Sequence, residues 1–224
     1  MLILPENYAK DQRRFTSNSR GTKAGERIIR NVAECSKYLS APILNIGCGD
    51  GFEVEQLCSN LGDMKATSDN IFGIEVAVDR ASYAKMLGLP VVEGVAENMA
   101  KHIKEYYKYD RKFNIYCAHT LEHTFNPYVV ISNMKDVALA TVVIIVPIEL
   151  SGKSGNLSHL NPIPNLGIII NQFGLNWKVV HASYRYNQEL EGLLVLKRDP
   201  MNWPVPFKRP VKDLTIDDAG KLSD

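Results

Sequence analysis

The sequence predicts an α/β fold, a mainly parallel β-sheet with helices on both faces. Three observations carry that prediction. Short apolar runs alternate with helical patterns five times over about a hundred residues. The first run, Ile43–Ile46, stops at Gly47-Cys48-Gly49-Asp50-Gly51, and apolar residues at helical spacing follow it. Beyond Pro147 the alternation ends, and two consecutive strand patterns close the sheet as a hairpin.

The elements follow in order. Residues 1–22 are polar and weakly periodic, an arm ahead of the fold. Ala24, Ile28, Ile29, Val32, Ala33 and Leu39 make a helix of Lys23 to Leu39, and Pro42 precedes the first strand, 43–46. Phe52, Val54, Leu57 and Leu61 are the apolar positions of the next helix. The second strand, Ile71–Glu75, ends on an acid. A helix over 79–87 is closed by Gly88. Then come a strand at 90–94, a helix at 96–107, a strand at 113–118, a helix around 129–139 and a strand at 141–146. Ser151 to Pro164 reads as a long loop and Leu166–Phe173 as a helix ended by Gly174. Trp177–Tyr184 and Leu190–Lys197 read as the two hairpin strands. Pro200, Pro204, Pro206 and Pro210 make residues 199–224 an extended tail.

Composition narrows the function classes. The chain has 224 residues, 45% apolar and 23% charged, and a net charge of +1, the profile of one large globular domain without a global field for nucleic acid or membrane. The longest apolar run, Val137 to Ile148, is too short to span a bilayer and reads as a buried strand. Met1-Leu2-Ile3-Leu4-Pro5 is too short for a signal-peptide core. Cys35, Cys48, Cys58 and Cys117 form no C-x-x-C pair and no zinc-spaced Cys/His cluster, so a reduced, cytoplasmic protein is expected and nothing requires a metal. Lys10, Arg13, Arg14, Arg20, Lys23, Arg27 and Arg30 crowd the N-terminal region, interrupted by Asp11 and Glu26, as a solvated helix face would be.

The glycine turn brings backbone N–H groups and a helix N-terminus toward a ligand. A pyrophosphate turn needs G-x-G-x-x-G, and here Phe52 stands at the third position; the pattern present is G-x-G-x-G. Glu75 follows Gly51 by about 24 residues, near the ~20 of an acid that accepts hydrogen bonds from ribose hydroxyls.

Taken with Glu93-Gly94-Val95-Ala96-Glu97-Asn98 and Ala118-His119-Thr120-Leu121-Glu122-His123, these segments resemble a class I S-adenosylmethionine-dependent methyltransferase of the small, type-11-like kind. The resemblance implies a three-layer, Rossmann-like, seven-stranded sheet, mostly parallel, with a C-terminal antiparallel hairpin. It implies a methyltransferase domain over 23–198 and S-adenosylmethionine as the cofactor. It places Asn45, Gly47, Cys48, Gly49 and Gly51 at the cofactor's methionine end, Glu75 and Val76 at the ribose, Ala96 and Glu97 at the adenine, and Ala118 and His119 at the end of strand four. Relatives carry an acid where Asn45 stands and Asp where Val95 stands; Asn keeps the reach but loses the charge. His119 at the strand end and His159 in the long loop are the candidate catalytic groups, as acid–base histidines. Glu122 and His123 read as stabilisers of the local turn.

A small-molecule acceptor is the first expectation for the methyl group. A nucleic-acid acceptor would use the basic arm with Lys197, Arg198, Lys208 and Arg209, and Tyr106, Tyr107 and Tyr109 as a base contact. Two other classes share the turn: an NAD-dependent oxidoreductase, which lacks its third glycine here, and a non-catalytic cofactor-binding module. The sequence carries no signal for an oligomeric state.

Overall fold

A computed structural model describes residues 19–150, 159–187 and 189–199, with the backbone of Thr215–Ile216 and Leu222–Ser223. The strands are β1 (Ile43–Ile46), β2 (Ile71–Glu75), β3 (Val91–Glu93), β4 (Phe113–Ala118), β5 (Ala138–Pro147), β6 (Trp177–Asn187) and β7 (Glu189–Arg198). They form one seven-stranded sheet in the order β3-β2-β1-β4-β5-β7-β6. The first five run parallel, and β7 pairs antiparallel with both β5 and β6, Ile144 opposite Leu194. A separate two-stranded ladder joins Thr215–Ile216 to Leu222–Ser223. Of the basic arm and tail, Lys10, Arg13, Arg14, Lys208 and Arg209 lie outside the described residues.

Among the described residues, six helices cover the sheet: α1 (Lys23–Cys35), α2 (Phe52–Asn60), α3 (Val78–Met86), α4 (Met99–Tyr107), α5 (Pro127–Val137) and α6 (Leu166–Phe173). Strand alternation sorts the two cores. Ile43, Ile71, Tyr116, Val143, Ile145 and Val195 pack with Val32, Val54, Leu57 and Ala81 of α1–α3. Leu44, Ile46, Phe72, Ile115, Ile144 and Leu194 pack with Met99, Ile103, Val130, Met134 and Ile169 of α4–α6. Covered on both faces, β1, β2 and β4 are buried at every position, so they read as continuous apolar runs.

The boundaries differ from the sequence reading where local chemistry intervenes. The first helix gives way at Ser36 to a 3-10 turn, Ser36–Tyr38. The helix expected from Ala96 opens with a 3-10 turn, Ala96–Asn98, before α4. α5 starts two residues earlier than its apolar pattern, because Asn126 accepts hydrogen bonds from the N–H groups of Tyr128 and Val129 and Pro127 occupies the first turn. Within β4, Asn114 spans a register shift: its Oδ1 accepts from Thr141 N (2.9 Å) and its Nδ2 donates to Ser40 O (2.7 Å).

The order of β1 and β4 sets the place of a site. The chain leaves β1 for β2 on one side and reaches β4 on the other, so the connections part at the carboxyl ends of β1 and β4. Open α/β sheets bind ligands at such a switch point. The Tyr106–Tyr109 cluster lies elsewhere: Tyr107 donates to Ser68 O and packs on Phe113 at the start of β4, so it belongs to the amino edge. Trp177 is buried against Phe173, as a packing residue.

Candidate active site at the carboxyl edge of the sheet

A cavity of about 380 Å³ opens over the carboxyl ends of β1, β2 and β4. Gly47, Cys48, Gly49, Glu75, Val76, Ala96, Glu97, Ala118, His119 and His159 all line it. Of the residues the sequence selected, Asn45 and Gly51 are not on its wall.

The glycines of the turn do different work. Gly47 has φ 75°, and a Cβ there would stand 2.1 Å from Thr120 Oγ1; it serves the junction of β1 with the β4 loop. Gly49 has φ 58° and faces open space, with Arg80 Nη1 the nearest atom at 3.9 Å, so it is the glycine over which a ligand can approach the backbone. Gly51 packs against Leu89 and Ala84. Cys48 contributes backbone only; its side chain is buried beside Gly73, and burial pushes its thiol well above the ordinary range.

Glu75, the acid expected at a ribose, is held at both oxygens. Its Oε2 accepts from Gly49 N and its Oε1 from Ala77 N, both at 2.8 Å. Burial pushes this carboxyl up, and those hydrogen bonds and Arg80 oppose it. Each oxygen keeps a second lone-pair direction for a ligand hydroxyl. The side chain is thus locked before any ligand arrives.

Asn45 is fully buried two residues before the turn, on the face of the sheet that α1–α3 cover. Its amide makes no hydrogen bond of normal geometry, although it favours the charge of neighbouring Glu53. Glu53, from α2, lines the cavity instead. Burial pushes its carboxyl up to about 8, reinforced by Glu75 and Asp50 and opposed by Asn45 and Arg27. An acid thus stands beside the Asn45 amide, one element later in the chain.

Near the expected adenine slot, Gly94, Val95 and Ala96 line the cavity beside Ile74 and Val76. Glu97 also lines it, but its Oε1 accepts from Phe125 N (2.7 Å) and Asn126 N (3.0 Å), which ties the 3-10 turn Ala96–Asn98 to the start of α5.

The far end of the cavity is dense with ionisable groups. His119 holds φ 49°, an unusual conformation for a non-glycine residue, and its N–H donates to Ile145 O. Its Nε2 lies 3.0 Å from Glu191 Oε1. Burial lowers the proton affinity of the imidazole despite Glu191. Burial pushes Glu191 up, but His119 and the cations Arg185 and Arg27 outweigh it and leave the carboxyl below its ordinary value. The pair is therefore a neutral imidazole donating Nε2–H to a carboxylate, with Nδ1 as the acceptor atom. Arg185 Nε donates to the other Glu191 oxygen at 3.0 Å, and Arg185 Nη2 to Asn31 Oδ1 at 2.5 Å. Arg27 pairs with Glu189 at 2.7 Å. The basic helix face read as solvated thus turns Arg27 inward.

Beside His119 lie Glu122 and His123, in the 3-10 turn Leu121–His123, and His159. Burial pushes the Glu122 carboxyl up to about 8. His159 Nδ1 lies 2.9 Å from Glu149 Oε1, and its ring meets that of His123 edge-on at 4.8 Å. Sequence reading set Glu122 and His123 aside and missed Arg27, Glu53, Glu189 and Glu191. The one signal for Glu191 was an acid inside the apolar run Leu190–Leu196.

Neither a family model nor a curated protein matches the sequence. Solved structures match its fold. The N-methyltransferase NodS from Bradyrhizobium japonicum, in complex with S-adenosylhomocysteine, superposes with a TM-score of 0.66 at 14% identity, covering 86% of this chain and 99% of that one. The chain has the class I methyltransferase fold. Magnesium protoporphyrin IX methyltransferase from Synechocystis, with S-adenosylhomocysteine bound, superposes at 0.59 and 10% identity, covering 87% and 95%. The methyltransferase fold also houses the cyclase SpnF, similar at 0.57 and 12% identity over 81% and 84%. The frame therefore does not assign the reaction, which rests on the site.

Proposed function

We propose that the chain binds S-adenosylmethionine and transfers its methyl group to a small-molecule acceptor. One observation carries the reading: Glu75, locked by Gly49 N and Ala77 N, stands at one end of a single cavity whose other end holds a neutral His119 oriented by Glu191. In this reading Glu75 accepts the ribose hydroxyls, the Gly49 face receives the methionine portion, Val76, Val95 and Ala96 flank the adenine, and Glu53 and Asp50 face the ammonium. Magnesium protoporphyrin IX, the substrate in one neighbour's name, is a small molecule, and NodS is named an N-methyltransferase.

The chemistry asks little of the protein beyond alignment and dryness. Bound S-adenosylmethionine would supply an electrophilic methyl group, which an acceptor lone pair would take in line with the carbon–sulfur bond while that bond's electron pair passed to sulfur, leaving S-adenosylhomocysteine. A proton released by the acceptor passes to His119 Nδ1. His159, 7% exposed at its side chain, stands at the acceptor end with Glu149 behind it.

Calorimetry with S-adenosylmethionine, S-adenosylhomocysteine and NAD tests the reading. The first two should bind and NAD should not. Glu75→Ala should weaken binding at least tenfold, ~1.4 kcal/mol. Tight binding of NAD alone, or an unchanged affinity in Glu75→Ala, overturns it. Binding with no turnover on any acceptor class would leave a cofactor-binding module.

A further inference from the structure

We propose that Glu122, His123 and His159 form a binding site for a divalent transition-metal ion at the acceptor end of the cavity. One ligand atom from each lies within 4.8 Å of the other two, and all three residues line the cavity. An ion ~2.1 Å from each would draw those atoms somewhat closer, a movement within reach of side-chain torsions.

A second, independent observation points to a ligand. Glu122 is 0% exposed, and neither carboxylate oxygen accepts a hydrogen bond of normal geometry. A buried polar group without a partner is costly, and cores rarely keep one. This carboxyl faces imidazoles, with Oε1 3.8 Å from His123 Nε2 and 3.7 Å from His119 Nδ1. An ion between Glu122 and the histidines satisfies it.

The surroundings are those of a metal centre. His159 Nδ1 is held by Glu149 at 2.9 Å, the carboxylate–histidine arrangement that orients a ligating imidazole and raises its basicity. That assigns Nε2 to the ion. The loop carrying His159 is latched to the turn carrying Glu122: Asn161 N donates to Glu122 O at 3.0 Å, and Asn161 Nδ2 donates to Thr124 O. Glu149 N donates to Ile163 O at 2.9 Å on the same loop. Ligands distant in sequence are thereby fixed without the ion. Two imidazoles and one carboxylate suit zinc, iron, manganese or cobalt, and three protein ligands leave positions open. The neighbouring group His119, Glu189 and Glu191 has similar spacing, but Arg27 and Arg185 already neutralise its carboxylates.

An ion here would hold an acceptor oxygen and make it more acidic beside His119. That consequence rests on the methyl-transfer reading; ion binding does not.

Cobalt(II) titration of the untagged, chelator-stripped full chain, followed by visible absorption, tests the site. A saturable ligand-field spectrum with one ion per chain is expected. Glu122→Gln and His159→Ala should each weaken binding at least ~tenfold, and Glu149→Gln ~10–100-fold, as loss of an outer-shell partner does. His159 sits in a loop, so His159→Ala reports even if Glu122→Gln disturbs folding; circular dichroism checks both. Absence of a saturable spectrum overturns the proposal. So does affinity unchanged in His159→Ala, or affinity lost in Glu189→Gln but kept in His159→Ala. Cobalt binding by a chain that binds no S-adenosylmethionine would uphold the ion site and remove the methyl-transfer reading.

Discussion

Glu53 shows how a single residue can carry a measurable cost. It is buried, lines the cavity and stands near Asp50 and Glu75, with Arg27 and Asn45 as its counterweights. Its carboxyl loses its proton near pH 8 in the fold and near 4.5 in the unfolded chain. Between those values the native state holds more protons than the unfolded state, so stability falls as pH rises through that window and is unaffected below it. Glu53→Gln should therefore match the parent at pH 4 and exceed it at pH 8.5 by a few kcal/mol, ~1.4 for each tenfold change in proton affinity. Urea denaturation at the two pH values measures this; equal denaturation midpoints at pH 8.5 would show that Glu53 is solvated and ionised. Gly49 and Gly47 teach a related lesson. They look equivalent in the sequence, yet only Gly49 faces open space.

Among the elements, α5 has the most explicit start signal. Asn126 accepts from two N–H groups of the first turn, Pro127 occupies that turn, and Glu97 holds the N–H of Asn126 itself. Removal of an Asn cap costs ~1 kcal/mol. Asn126→Ala should lower the melting temperature by roughly 2–4 °C in a chain of this size. Differential scanning calorimetry reads the change, and an unchanged melting temperature would show that the cap is redundant with the Glu97 clamp. The Asn-Pro pair that marks this start stands in the sequence, but the apolar pattern alone placed the helix around 129–139. The 3-10 turns at Ser36–Tyr38, Ala96–Asn98 and Leu121–His123 were not legible. Apolar spacing does not distinguish a 3-10 turn from the adjoining α-helix, and the choice depends on which carbonyl each N–H meets in the packed chain.

At the scale of the whole molecule, the cavity is assembled from the loop after β1, from β2 and β4, from the 3-10 turns Ala96–Asn98 and Leu121–His123, and from α1, α2, α3 and β7, so a ligand that fills it ties together elements far apart in the chain. A ligand that binds only the folded state adds RT ln(1 + [L]/Kd), ~2.7 kcal/mol at a hundred times Kd. S-adenosylhomocysteine at that excess should raise the melting temperature by roughly 5–10 °C. The absence of a shift at concentrations shown by calorimetry to saturate the protein would mean that the site is not part of the cooperative core. No helix among the described residues is long and apolar enough to cross a membrane.

By itself the sequence determined the alternation of strands and helices, the glycine turn, the acid ending β2 and the histidine ending β4. Each is a local pattern, set by side-chain period and backbone conformation within a few residues. Only the tertiary structure decided which groups face the cavity. Asn45 is off the cavity wall, and neighbouring Glu53 of α2 stands on it. Arg27 turned inward because Glu189 and Glu191 arrive on β7, more than a hundred and fifty residues later. His159 reached Glu122 and His123 through the latch at Asn161. Burial, charge pairing and proton affinity depend on distance in space, and the sequence records only distance along the chain.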